Sequence, residues 1–343
     1  MIFSRVAIAS LGVELPGEVW TSDQIEDRLA PLYERLRLPA GRLELMTGIR
    51  ERRFWPGPMR PSEASSLAGR KALERAGVAS TEVDLLIHAA VCRDRLEPST
   101  AAYVHGLLGI SAQAQILDVS NACLGFLNAL VLAGGLIESG QVRRALICSG
   151  ENGKPLVEHT IALLNSGAHD RNAIKPYFAN LTIGSGAVAA VLCRDELAPP
   201  GSLRLLGGVA GTDSAANTLC EGDLDASALV MQTDSERLLA AGVELAAETW
   251  KKFCATLRWD VSTAARVLTH QVGRRHSQLL FERLGLDPAK DWRSFERLGN
   301  VGSVSLPATL ALALEAGAIT RGDKVALLGI GSGLSSLMLG LQC

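Results

Sequence analysis

Aromatic residues are scarce in this chain: Phe, Trp and Tyr together make up 4% of 343 residues. That scarcity argues against a base-stacking platform for nucleic acid. Charge of one sign is missing too. Lys and Arg number 34, Asp and Glu 36, and the net charge is −2, mixed along the chain. Neither a nucleic-acid partner nor an anionic membrane surface is implied by that balance. The seven cysteines, at 92, 123, 148, 193, 220, 254 and 343, include no C-x-x-C pair, and no Cys/His cluster has zinc-ligand spacing. An odd, scattered set fits reduced thiols in a cytoplasmic protein better than a disulfide framework. Neither a metal nor a cofactor is expected. The apolar stretch Cys123–Ile137 is too short to span a bilayer and carries Asn128 and three glycines, so it reads as a buried helix. Met1-Ile-Phe-Ser-Arg-Val-Ala-Ile8 reads as a first strand, not a signal peptide. No G-x-S-x-G elbow occurs, which counts against a serine α/β-hydrolase.

What the chain does have is apolar bulk, 48% of its residues, and a length that suits two domains or one duplicated fold. Short apolar runs predict strands at Val6–Leu11, Val83–Ala90, Ala114–Val119, Arg144–Ser149 and Gly186–Leu192. The rhythm resumes at Leu203–Val209, Arg266–His270 and Lys324–Gly329. Between them, helices are predicted at Arg60–Ala76, Ser99–Leu108, Cys123–Ser139, Ser235–Leu257, Ser277–Leu284 and Pro307–Ala316. Strands alternating with helices predict an α/β fold with largely parallel sheets. The polar, Pro/Gly-rich Arg194–Gly201 divides the chain into halves, 1–196 and 197–343. The segment 152–180 lacks strand periodicity and is helical around Leu156–Leu164. It reads as a lid, a channel wall or a solvated insertion.

Chemistry concentrates on Cys123, in Asn121-Ala-Cys-Leu-Gly-Phe126, where a strand meets a tight turn at the start of an apolar helix. A helix start favours a thiolate, and its free N–H groups can support an oxyanion. A buried, inert thiol is the other reading. Two further polar residues fall after apolar strands or in glycine-flanked loops: His270, before Gln271, and Asn300, in Gly299-Asn-Val-Gly302. In open α/β sheets such strand ends collect the chemistry. Gly329-Ile-Gly-Ser-Gly-Leu334 lacks the dinucleotide spacing and instead allows close backbone approach to a ligand.

Together, Thr47-Gly-Ile-Arg-Glu-Arg-Arg53, the Cys123 turn, His270-Gln271, Gly299-Asn300 and the terminal glycine loop resemble the thiolase-fold condensing enzymes, in their ketoacyl-ACP synthase III branch. The resemblance spans essentially the whole chain. It implies a five-layered αβαβα fold of two duplicated halves, a homodimer, and a Cys123–His270–Asn300 triad. Two departures refine it. His270-Gln-Val-Gly273 replaces the branch's His-Gln-Ala-Asn, and Glu97, in Arg93-Asp-Arg-Leu-Glu-Pro-Ser-Thr100, stands where that branch has phenylalanine. Both are similar to the OleA-type head-to-head acyl-condensing enzymes of long-chain olefin biosynthesis.

That likeness implies a non-decarboxylative Claisen condensation of two long-chain acyl-CoA molecules. Cys123 would carry the first acyl group. Backbone N–H groups of Cys123 and Ser332 would form the oxyanion hole, and His270 and Asn300 would hold the enolate of the second thioester. Glu97 of the partner subunit would supply the base that a plain acyl-CoA, unlike a malonyl group, requires. Arg50, Arg52 and Arg53 are candidates for the CoA phosphates, and the 152–180 segment for a wall of an alkyl channel. Downstream pathway enzymes are possible partners. The alternatives are decarboxylative condensation with malonyl-ACP, acyl transfer to a hydroxyl or amine, and a non-catalytic partner subunit resembling chain-length factors.

Overall fold

The computed structural model describes residues 1–167, 169–225 and 228–343. Thirteen strands run along the described residues. The first seven are β1 (Val6–Glu14), β2 (Glu18–Thr21), β3 (Glu51–Phe54), β4 (Leu85–Ala89), β5 (Gln115–Val119), β6 (Arg144–Glu151) and β7 (Gly186–Arg194). The rest are β8 (Leu203–Thr212), β9 (Cys220–Asp225), β10 (Ala228–Thr233), β11 (Arg266–Thr269), β12 (Lys324–Gly331) and β13 (Ser335–Gln342). Nine of them form one sheet in the order β11-β12-β13-β8-β1-β7-β6-β4-β5. All eight strand predictions fall on members of this sheet.

Cut between β8 and β1, that sheet is the same motif twice. In one half β5 and β4 pair parallel, β4 and β6 parallel, and β6, β7 and β1 antiparallel. In the other, Asp291 forms a parallel bridge beside Val267 of β11, β11 and β12 pair parallel, and β12, β13 and β8 antiparallel. A short antiparallel contact, Ala7 with Arg204 and Ile8 with Leu203, joins the halves. The link from β7 to β8, where the sequence division at 196/197 falls, connects the two repeats.

The layers follow from where the apolar side chains go. Helices Gly125–Glu138 and Ser305–Glu315 are apolar nearly all round and lie in the middle, sharing one core with both halves of the sheet. Helices Pro61–Ala76 and Thr100–Leu108 cover the outer face of the first half. Helices Ser235–Leu257 and Arg274–Leu284 cover that of the second. This is the five-layered, duplicated α/β arrangement of the thiolase fold. A side lobe packs the helices between Ser22 and Thr47 against helix Lys154–Asn165 and the 3-10 turns Lys175–Thr182. Among the described residues, no helix is long and apolar enough to cross a membrane.

Candidate active site

Cys123 sits in a turn rather than inside the helix, which begins two residues later at Gly125. Ala122 has φ +45°, a left-handed conformation that is costly for a residue with a Cβ. Leu124 N–H donates to Asn121 O at 2.9 Å, closing the turn, and Asn121 Nδ2 donates to Asn128 Oδ1 at 3.0 Å. The terminal glycine loop closes over it. A Cβ on Gly331 would lie 3.4 Å from Cys123 N and 3.2 Å from Leu124 Cγ, so this glycine lies against the Cys123 turn, where a larger residue would press on the Leu124 side chain. Ser332 therefore stands one residue from the backbone of the nucleophile.

His270 follows β11, with its N–H on Leu328 O of β12 at 3.0 Å, three residues before Gly331. The residue after it does the local building. Gln271, 1% exposed, donates from Nε2 to Thr269 O at 2.7 Å and accepts from Ser294 N at 2.9 Å and Phe295 N at 3.1 Å. One amide thus ties the histidine strand to the short helix Phe295–Leu298 that leads into Asn300. Gly299, at φ +67°, lets the chain lie against Thr182 O, which a Cβ would strike. Asn300 is then fixed on both backbone sides, N–H to Thr182 O at 2.9 Å and O from Gly184 N–H at 2.9 Å. Its Oδ1 accepts from Gly302 N–H at 3.0 Å, and an N–H can only donate. The Nδ2 group is thereby left to donate outward. Ser303 Oγ donates to Ala122 O at 2.8 Å and joins the Asn300 loop to the nucleophile turn.

Burial governs protonation here. Desolvation, reinforced by the charge of Glu151 and by Cys220, pushes the Cys123 thiol up to about 12. This reverses the expectation that the helix start favours a thiolate: drying outweighs the dipole. Desolvation and nearby His276 hold His270 down at about 3, so its imidazole is neutral at physiological pH.

Glu97 lies on the loop between β4 and helix Thr100–Leu108, exposed, with no hydrogen bond or ion pair among the described residues. The loop itself is tightly held. Its start, Val91 and Cys92, donates to Glu151; Asp94 accepts from Ser62 N at 2.9 Å and Ser62 Oγ at 2.6 Å. Its end is capped by Asp118 of β5, which accepts from Thr100 N at 2.7 Å and Ala101 N at 2.8 Å.

The three arginines separate. Arg52 is 0% exposed, and its guanidinium donates to Ser22 Oγ at 3.0 Å and Leu181 O at 2.8 Å. It is a structural pin that cannot meet a CoA phosphate, which corrects its assignment from sequence. Arg50 is exposed and Arg53 half-buried. Gly48 packs against Arg274, 2.9 Å from the Cβ it would carry to that of Arg274, so Arg274 joins Arg50 at this edge. The 152–180 segment forms part of the side lobe, and Thr182, two residues beyond it, supplies its O to Asn300. Sequence reasoning missed Gln271, Asp118 and Glu151 as site builders. For Glu151, its place at a strand end between glycines, in Ser149-Gly-Glu-Asn-Gly153, was the available signal.

Comparison with known proteins gives the family. The family model "3-Oxoacyl-[acyl-carrier-protein (ACP)] synthase III" matches residues 117–214, and its C-terminal counterpart residues 254–341. An acyl-CoA:acyl-CoA alkyltransferase of Shewanella oneidensis is 38% identical, with 100% of each chain covered. One of the same name from Xanthomonas campestris is 38% identical, with 98% of each covered. The solved structure of a cysteine-to-serine variant of Xanthomonas campestris OleA with bound lauric acid and lauroyl-CoA superimposes with a TM-score of 0.95 at 37% identity, covering 99% of this chain and 100% of that one. The chain belongs to the thiolase-fold condensing acyltransferases of the 3-oxoacyl-ACP synthase III family, in their OleA-type branch.

Proposed function

We propose that this enzyme joins two long-chain acyl-CoA molecules head to head, with Cys123 as the acyl carrier and Glu97 of the partner subunit as the base. The observation that carries this reading is the Glu97 loop. It is clasped by Glu151 and Asp118, residues of the two strands beside the nucleophile turn, yet leaves its own carboxylate exposed. Leu96 beside it is 83% exposed, and Ile116 on the edge strand β5 is 39% exposed. Exposed apolar residues on an unpaired sheet edge suit a second copy of the chain. A homodimer of this kind brings Glu97 to the other subunit's site. The seven unpaired cysteines are in keeping with a reducing cytoplasm.

The chemistry then runs in two stages. Cys123 Sγ attacks the thioester carbonyl of the first acyl-CoA, its proton passing by way of neutral His270 to the departing CoA thiolate. The N–H groups of Cys123 and Ser332 support the oxyanion, each such donor contributing about 3 kcal/mol in acyl-transfer sites. A second acyl-CoA gives an α-proton to the Glu97 carboxylate. His270 and Asn300 Nδ2 hold its enolate oxygen. The enolate carbon attacks the acyl-Cys123 carbonyl, the C–S bond breaks, and Cys123 leaves as thiolate to be reprotonated. The product is a β-ketoacyl-CoA, open to enzymes that act on it downstream. Arg50, Arg53 and Arg274 would meet the CoA phosphates, and the side lobe would wall an alkyl channel.

The test is product analysis after incubating purified enzyme with a single long-chain acyl-CoA. A β-ketoacyl-CoA is expected with no other substrate, together with the β-keto acid and CoA that water releases from its thioester and the ketone left when that acid loses carbon dioxide. Product that forms only on adding malonyl-ACP overturns the reading.

A further inference from the structure

One carboxylate outside the triad stands where the loops of the site meet. Glu151 ends β6 and is 4% exposed. Its Oε1 accepts from Val91 N–H at 2.9 Å and Ser303 N–H at 3.1 Å; its Oε2 accepts from Cys92 N–H at 2.9 Å. Val91 and Cys92 are the root of the Glu97 loop. Ser303 ends the Asn300 loop and holds Ala122 O of the nucleophile turn. Space is kept for this carboxylate: a Cβ on Gly302, at φ +55°, would lie 2.9 Å from Oε1. Among the described residues no cation pairs with Glu151. A buried carboxylate without a counter-ion is expensive, and three backbone donors are what offset that cost. Only a carboxylate accepts from all three. A glutamine here turns its NH2 toward at least one N–H, donor against donor.

We propose that Glu151 is a positioning residue for two active sites at once. It fixes Asn300–Ser303 beside its own subunit's Cys123, and it fixes the root of the loop that delivers Glu97 to the partner's site. This rests on the reading that Glu97 acts across the dimer.

Mixed dimers test it. A dimer of one Cys123→Ala subunit and one Glu97→Ala subunit has a single working site, built from Cys123 of the second and Glu97 of the first. Glu151→Gln is then placed only in the subunit that donates Glu97. The CoA burst from acylation of Cys123 and the KM for acyl-CoA should stay within about twofold. Condensation kcat should fall about 100-fold, the scale of a misplaced catalytic group. A merely structural carboxylate would not separate the half-reactions across the dimer. Condensation within threefold of the parent mixed dimer overturns the proposal, as does a burst that falls in step with it. Where Glu151→Gln fails to assemble, Glu151→Asp, one methylene too short to reach all three donors, decides by the same criteria. Failure of both to assemble also overturns it, in favour of a purely structural role. Parent dimers that condense only with malonyl-ACP contradict the proposed function instead, a result visible before Glu151 is changed.

Discussion

Cys123 and His270 rest as a thiol near 12 and an imidazole near 3, both uncharged across the physiological range. The two therefore rest as a neutral thiol and a neutral imidazole, not as a thiolate–imidazolium pair. The sign of the shift sets a measurable consequence. Below a thiol pKa of about 12 the thiolate fraction rises tenfold per pH unit, so alkylation of Cys123 by iodoacetamide should climb log-linearly from pH 7 to 9. A rate that levels off near pH 8 would mean that the turn stabilises the thiolate after all. Cys123 itself was legible from its turn and its neighbours in sequence. Its protonation was not, because the burial that raises the thiol, and the charges of Glu151 and Cys220 that add to it, come only with the folded chain.

At the scale of elements, the site is a set of loops held by glycine contacts and buried acceptors. The strands that deliver these loops were readable as apolar runs, and Ser235–Leu257 was predicted to the residue; the Asp234 side chain, accepting from Arg237 N–H, caps its start. Other pieces carried no such signal. β13 begins in Ser335-Ser and follows directly on the glycine loop, so it reads as a tail until it pairs β12 and β8. Arg52 looked like its neighbours Arg50 and Arg53, since alternation along β3 buries the middle one only once β2 pairs beside it. Gly299 shows the reverse case: the sequence marked Gly299-Asn300, and the structure gives the reason. Gly299→Ala places a Cβ at positive φ against Thr182 O. It should cost about 3 kcal/mol in chemical denaturation and lower condensation more than acylation, because Asn300 is displaced while the Cys123 turn is not. An alanine variant as stable and as active as the parent would show that the Asn300 loop does not need this approach.

Across the whole molecule, duplication has a chemical use, and the proposed dimer would share it. Two copies of one sheet motif face each other across the central helices, so the Cys123 turn of the first half meets the Ser303 end of the Asn300 loop and the Gly331 loop of the second. The duplication could be inferred from element order alone, whereas its proof, the Asp291 bridge standing in for a missing strand, is a single hydrogen-bonded contact with no sequence signature. Glu97 is the piece left outside this arrangement, and in the proposed dimer a second subunit would bring it in. The central claim is that acyl-Cys123 is consumed by the enolate of a plain acyl-CoA that Glu97 deprotonates. The most direct measurement loads Cys123 with one acyl chain, removes free CoA species, and chases with an acyl-CoA of different length, in the parent enzyme and in Glu97→Ala. The account predicts that the parent yields the mixed β-keto product with its keto carbon from the first chain, while Glu97→Ala holds its acyl-enzyme and condenses at least about 100-fold more slowly. An acyl-enzyme discharged only by malonyl-ACP, or a Glu97→Ala enzyme that condenses at the parent rate, would contradict it.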